Sequence, residues 1–219
     1  MRLSGKVAII TGASKGIGAA MAQAFADAGA SVVIGARNAG QLEQAAERLR
    51  STGGKVATVA GDVADEDYAG ELVEAAQLQF GRLDIGVNNA GMLGDMTEAA
   101  SMSSENWRRV IDVNLSGAFW GARAQIPAIL KAGGGSVVFT SSFVGHGVAF
   151  PGMAAYAASK AGLIGLTQAL AVEYGAQGLR VNALLPGGTK TDMAGDFSDN
   201  PDVENVIASY HALKRMAAP

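Results

Sequence analysis

Short, wholly apolar runs alternate along the chain with longer stretches that read as helices. Residues 7–10, Val-Ala-Ile-Ile, form the first run. A run without a polar break and rich in β-branched side chains suits a strand covered on both faces of a parallel sheet. Runs at 31–35, 56–60, 83–87, 136–140 and 179–185 predict five more strands. Helices are expected over 19–28, from Asn38 to about 50, over 65–80, from Ser103 or Ser104 to about 131, over 155–176, and over 201–215. Gly29, Gly53-Gly54 and Gly178 mark helix ends. Strand alternating with helix predicts an α/β fold, one doubly wound parallel sheet with helices on both faces.

Composition narrows what such a sheet serves. With 219 residues, 49% of them hydrophobic, the chain has enough apolar surface for a single domain spanning 1–219. Its 17 basic and 20 acidic residues are spread along the chain, so neither nucleic acid nor a membrane surface is an expected partner. The absence of cysteine removes disulfides, thiolate metal sites and a Cys nucleophile, and two histidines, His146 and His211, are too few for a histidine-rich metal site. Neither a signal peptide nor an apolar run of membrane-spanning length stands out, and a cytoplasmic protein is expected.

Chemistry gathers where the strands end. After the first strand comes a turn with GxxxGxG spacing, containing Gly12, Ser14, Lys15, Gly16, Ile17 and Gly18, and then a helix. In that context bare backbone N–H groups and a helix N-terminus face a phosphate. Arg37 stands past the second strand, where an acid would hold a ribose 2′-hydroxyl and an Arg accommodates a 2′-phosphate. With Lys15 it favours NADP(H) over NAD. Asp62-Val63 follows the third strand, as an adenine contact or a helix cap, and Asn88-Asn89-Ala90-Gly91 follows the fourth. The fifth delivers Ser141-Ser142, and the sixth ends at Pro186-Gly187-Gly188-Thr189-Lys190-Thr191.

Tyr156 and Lys160 stand at i and i+4 on one helix face. A phenol has a pKa of about 10, and an ammonium about 4 Å away at an effective dielectric of about 20 favours the phenolate by roughly 4 kcal/mol, or about three pKa units. A Tyr poised in that way exchanges protons near neutral pH. Asn114, in the middle of an expected helix, is a mediocre helix former that suggests an exposed face or a polar role.

Taken together, Thr11 to Gly18, Asn88 to Gly91, Asn114, Ser142 with Tyr156 and Lys160, and Pro186-Gly187 with Thr191 resemble the short-chain dehydrogenase/reductase family over essentially the whole length. The resemblance implies a Rossmann-like strand order of 3-2-1-4-5-6. It also implies that Tyr156 exchanges the proton with a carbonyl or alcohol oxygen. Lys160 would lower the Tyr pKa and hold ribose hydroxyls, Ser142 would hydrogen-bond the reacting oxygen, with Ser141 as a rival, and Asn114 would interrupt its helix and position a water behind Lys160. The cofactor would be held by Gly12, Ser14, Lys15, Gly16, Ile17, Gly18, Arg37, Asp62, Val63, Asn88, Ala90, Gly91, Tyr156, Lys160, Pro186, Gly187, Thr189 and Thr191. Such proteins continue past residues 213–216 through a helix and a seventh strand, so the chain is expected to be C-terminally incomplete, with 192–219 a substrate loop and helix. A homo-oligomer, tetramer or dimer, is expected.

Met92, Leu93, Phe143, Val144, Phe150, Met153 and Met193 are the expected substrate wall. They suit a hydrophobic or amphiphilic ketone or secondary alcohol. A 3-oxoacyl-thioester reductase is the enzyme alternative, although no basic cluster for an acidic carrier is evident. A non-catalytic NADP-binding sensor or structural protein is the alternative of another class, and it has no need of Ser142, Asn114, Tyr156 and Lys160 together. His146 is expected on a solvated loop.

Overall fold

In the computed structural model, which describes residues 1–193 and 201–219, six parallel strands form one sheet. They are Val7–Thr11 (β1), Ser31–Ala36 (β2), Lys55–Ala60 (β3), Ile85–Asn88 (β4), Gly135–Thr140 (β5) and Leu179–Leu184 (β6), in the order β3-β2-β1-β4-β5-β6. Successive side chains leave a strand on opposite faces, so each apolar run feeds two cores. Val7, Ile9 and Val33 meet Leu72, Ile129 and Leu163 on the face covered by helices Glu66–Phe80 (α3), Gly117–Lys131 (α5) and Ala154–Tyr174 (α6). Ala8, Ile10, Val32 and Ile34 meet Ala22, Leu42 and Leu49 on the face covered by Gly16–Asp27 (α1) and Ala39–Ser51 (α2). Full burial of an Ile or Leu contributes about 2 kcal/mol. A one-residue slip would exchange the two sets at once, and the register is fixed accordingly.

At the amino ends of β1 and β4 the buried Asp84 carboxylate accepts from Lys6 Nζ at 2.9 Å, from the Val7 amide at 3.0 Å and from Arg82 Nε at 2.8 Å. Burial pushes the Asp84 pKa up, but hydrogen bonds from Arg82, Lys6 and Val7 outweigh it and hold the carboxyl below its ordinary value. This cluster pins the end of the sheet remote from the site. At the opposite end the chain leaves β1 toward β2 and β3, and leaves β4 toward β5 and β6. The order reverses between β1 and β4, and the loops after these two strands diverge to open a crevice.

The structure revises several element boundaries. The helix expected from Ser103 or Ser104 to about 131 is two helices, Ser104–Ile111 (α4) and α5, joined at Asn114, where the family resemblance implies an interruption, by a π turn at Asp112–Ser116. Ser103 is the cap, its Oγ accepting from the Asn106 amide at 3.1 Å. The fourth strand ends at Asn88, one residue beyond the expected end. The last helix is Pro201–Ser209 (α7), shorter than expected and followed by turns. Among the described residues no helix is long and apolar enough to cross a membrane.

Candidate active site

The crevice is a cavity of about 730 Å³ at the carboxyl ends of the strands. Its first wall is the turn after β1. Gly12 and Gly16 have φ of +67° and +57°, in the left-handed region open chiefly to glycine. Gly18 is needed for a different reason: a Cβ there would lie 2.2 Å from the Gly12 carbonyl oxygen and 2.6 Å from Asn89 Nδ2. Helix α1 starts at Gly16 without a side-chain cap, so its first amides and the positive end of its dipole are left for an anion. Gly12, Ser14, Lys15, Gly16, Ile17 and Gly18 all line the cavity. A cradle that a single methyl group would fill, at an uncapped helix start, fits the diphosphate of a dinucleotide.

Asn88 and Asn89 divide the work differently from expectation. Asn88 is buried away from the cavity, where its carboxamide exchanges hydrogen bonds with that of Gln125 at 3.0 and 3.1 Å. Asn89 lines the cavity instead, donating from Nδ2 to the Thr11 carbonyl at 3.0 Å. Thr11 Oγ1 accepts from the amides of Asn89 and Ala90, at 3.0 and 3.1 Å. The two turns are thereby clamped together. Asn88 belonged to the expected contact set as part of the Asn88 to Gly91 motif, and strand alternation decides which of the two adjacent Asn residues turns inward.

Arg37, Asp62, Val63, Ala90, Gly91, Pro186, Gly187, Thr189 and Thr191 also line the cavity. Arg37 sits 4.0 Å from the Asp62 carboxylate, and Lys15 Nζ is 3.0 Å from that of Asp192. Asn38 and Gln41 line this end too, unforeseen because Asn38 also caps α2.

Ser142, Tyr156 and Lys160 converge on the far wall. Ser141 Oγ donates to the Lys160 carbonyl at 2.7 Å and so fastens α6 to β5. Ser142 Oγ accepts from the Val144 amide at 3.1 Å and hydrogen-bonds Tyr156. The electrostatics differ from the simple i, i+4 expectation. Lys160 Nζ donates to the Thr140 carbonyl at 2.7 Å and lies 5.7 Å from the Tyr156 ring centroid. Burial raises the Tyr156 pKa, and the Ser142 hydrogen bond offsets only part of that. Burial also pushes Lys160 down to about 8. Desolvation therefore sets the direction for both groups, opposite to the depression expected for Tyr156.

The Lys160 shift has a testable sign. The unfolded chain holds this proton up to about pH 10.5, the folded one only to about 8. Stability linked to Lys160 is present above the unfolded pKa and lost as pH falls through the folded one. Relative to a Lys160→Met variant, the wild type should gain on the order of 1 kcal/mol per pH unit between those two values. Denaturant melts at pH 7 and 9.5 measure it, and a pH-independent difference would contradict it.

Asn114 lies in the π turn, fully buried and outside the cavity lining. Its Oδ1 accepts from the Met92 amide at 2.8 Å, and its Nδ2 donates to the Met92 carbonyl at 2.9 Å and to Ser159 Oγ at 3.0 Å. A Cβ on Gly91 would sit 3.2 Å from both Asn114 Oδ1 and Lys160 Nζ, so that glycine lets the two approach. The side chain thus holds the Met92 backbone and fixes the π turn in which Asn114 sits.

Leu93, Phe143, Val144, Phe150, Met153 and Met193 line the apolar end, joined by Ile207 and Met216 from the C-terminal segment. Met92, expected in this wall, does not line it. His146 is exposed on its loop.

The family model described as short chain dehydrogenase matches residues 6–202. The chain belongs to the short-chain dehydrogenase/reductase family. Among relatives in this family, a cyclohexanol dehydrogenase of Acinetobacter sp. (strain SE19) is 37% identical, over 100% of this chain and 84% of its own. An A-factor type gamma-butyrolactone 1'-reductase (1S-forming) of Streptomyces virginiae is 41% identical, over 99% and 85%. The crystal structure of a short-chain type dehydrogenase/reductase from Mycobacterium marinum superposes with a TM-score of 0.93 at 35% identity, covering 99% of this chain and 85% of that one. As a short-chain dehydrogenase/reductase the chain is an oxidoreductase acting on CH–OH and C=O groups, on a nucleotide-binding Rossmann fold.

Proposed function

We propose that the chain reduces a hydrophobic or amphiphilic ketone with NADPH, Tyr156 being the proton donor. The observation that carries this reading is the convergence of Ser142, Tyr156 and Lys160 at the junction between the glycine cradle and the apolar end of one cavity. When bound, the nicotinamide dinucleotide supplies the hydride. Tyr156, kept as a neutral phenol by burial, gives its proton to the carbonyl oxygen, and general acid catalysis of this kind contributes about 10²–10⁴-fold. Ser142 orients the phenol and stabilises charge growing on that oxygen. Lys160, most of it protonated at neutral pH with a pKa of about 8, supplies positive charge behind the phenol and a donor for ribose hydroxyls. Asn114 and Ser159 hold the wall against which Lys160 packs. The apolar lining admits no acidic substrate readily, and both named relatives are named for chemistry at an alcohol or carbonyl group.

Arg37 and Lys15 support NADPH over NADH. Both side chains are more than half exposed, and their carboxylate partners Asp62 and Asp192 are exposed as well. Exposed pairs contribute only about 0–1 kcal/mol. Exchanging them for a 2′-phosphate therefore costs little, while charge-assisted bonds to the phosphate contribute about 1.5–3 kcal/mol each. Arg37→Asp should lower the NADPH-to-NADH affinity ratio by about tenfold or more, measured by fluorescence titration. A wild type with equal affinity for both cofactors contradicts this assignment.

A further inference from the structure

His211, just beyond α7, is held by three contacts that no catalytic step uses. Its Nδ1 lies 2.8 Å from the Ile207 carbonyl oxygen, which only accepts, so Nδ1 carries the hydrogen. Nε2 is then a lone-pair acceptor, and it receives the Gly188 amide hydrogen at 2.8 Å. The ring centroid is 5.5 Å from that of Phe143, the residue directly after Ser142. Phe143 continues to Phe150 at 6.1 Å, and Phe150 meets Tyr210 edge-on at 5.4 Å. One imidazole thus ties α7, the loop after β6 and the turn carrying Ser142.

The two glycines after Pro186 are shaped to this ring. A Cβ on Gly187 would lie 2.2 Å from His211 Nε2, and one on Gly188 would lie 2.4 Å from Ile207 Cγ2. The same loop is held from its other side by the backbone of Ala217, which donates to Gly188 O and accepts from Lys190 N, both at 2.9 Å. Without the imidazole, the Gly188 N–H loses its partner and two adjacent glycines gain room to move.

We propose that His211 is a positioning residue that latches α7 over the apolar end of the cavity, so that Phe143 and the Gly187-Gly188 loop form a fixed wall for the carbonyl substrate. This rests on the reading of the cavity as a ketone reductase site. Its consequence is a split in kinetics: losing the latch loosens the substrate wall while the cradle around Gly12 to Gly18 stays intact.

The test joins amide hydrogen exchange and ring ¹⁵N shifts, recorded on the free chain, with steady-state kinetics at saturating NADPH. The wild type should show an Nδ1–H tautomer and a protected Gly188 amide, and His211→Ala should remove that protection. His211→Ala should raise the ketone KM at saturating NADPH about tenfold and weaken NADPH binding by less than that, since Gly187 and Thr189 of the loosened loop belong to the expected cofactor contacts while the Gly12 to Gly18 cradle is untouched, with His211→Gln recovering part of the loss because its carbonyl can accept from Gly188. Gly187→Ala, which drives a methyl into the ring, should raise KM similarly in the wild type and by less than about twofold in the His211→Ala background, since both changes break one latch. An equally exposed Gly188 amide in wild type and His211→Ala, an unchanged KM, or strictly additive effects would each overturn the latch. A wild type that binds NADPH and reduces no ketone would overturn the reductase reading and the positioning role together, whereas active wild type with an indistinguishable His211→Ala overturns only the latter.

Discussion

Replacing Tyr156 by Phe should lower kcat for ketone reduction by about 10³-fold while NADPH binds with little change. The ring is buried against Val110, Val144 and Ala155, and Phe keeps that packing. Only the hydroxyl is lost, together with its hydrogen bond to Ser142. Among the described residues the nearest titratable group on the same helix face, Lys160, is turned to the Thr140 carbonyl and does not replace it. Stopped-flow measurement of NADPH consumption separates this loss from any change in binding. A variant that retains substantial turnover would place the proton donor elsewhere.

Gly18→Ala should be the most damaging small change in the cofactor cradle. The added methyl would meet the Gly12 carbonyl oxygen at 2.2 Å and Asn89 Nδ2 at 2.6 Å. The first is backbone of the turn itself, and the second belongs to the side chain that clamps the turn to the loop after β4. The carbonyl cannot yield without moving α1 away from β1, and Asn89 yields only by releasing its bond to the Thr11 carbonyl. Overpacking of this kind costs about 1–3 kcal/mol of stability, and a displacement of about 1 Å at a positioning element costs about 10²-fold in activity. NADPH affinity by titration and the melting midpoint should both fall. Gly53→Ala, at a positive φ but with open space around it, is the control for backbone strain alone and should leave NADPH binding unchanged.

The sheet was legible because β1 and β2 are buried on both faces, which leaves an uninterrupted apolar run as their only workable composition. The glycine turn was legible for a similar reason, since close backbone approach tolerates no other residue at Gly12 or Gly18. What sequence missed depends on partners distant along the chain. The family resemblance implied a break at Asn114, but local sequence does not show that the Asn114 side chain is matched to the Met92 backbone 22 residues earlier. Asn88 and Asn89 separate only once Gln125 claims the former. The Tyr156 and Lys160 spacing predicted their shared face correctly, yet the expected pKa depression ignored the cost of burying both groups. His211 carried no local signal at all, because its role is defined by Gly188, 23 residues away.

The most direct test of the proposed chemistry is to offer NADPH and a panel of cyclic and long-chain ketones to the wild type and to Tyr156→Phe, following NADPH loss and alcohol formation together. The expected result is one alcohol formed for each NADPH consumed by the wild type, and about 10³-fold slower turnover by the variant. A wild type that binds NADPH but consumes none across the panel, or a variant as fast as the wild type, would contradict the account.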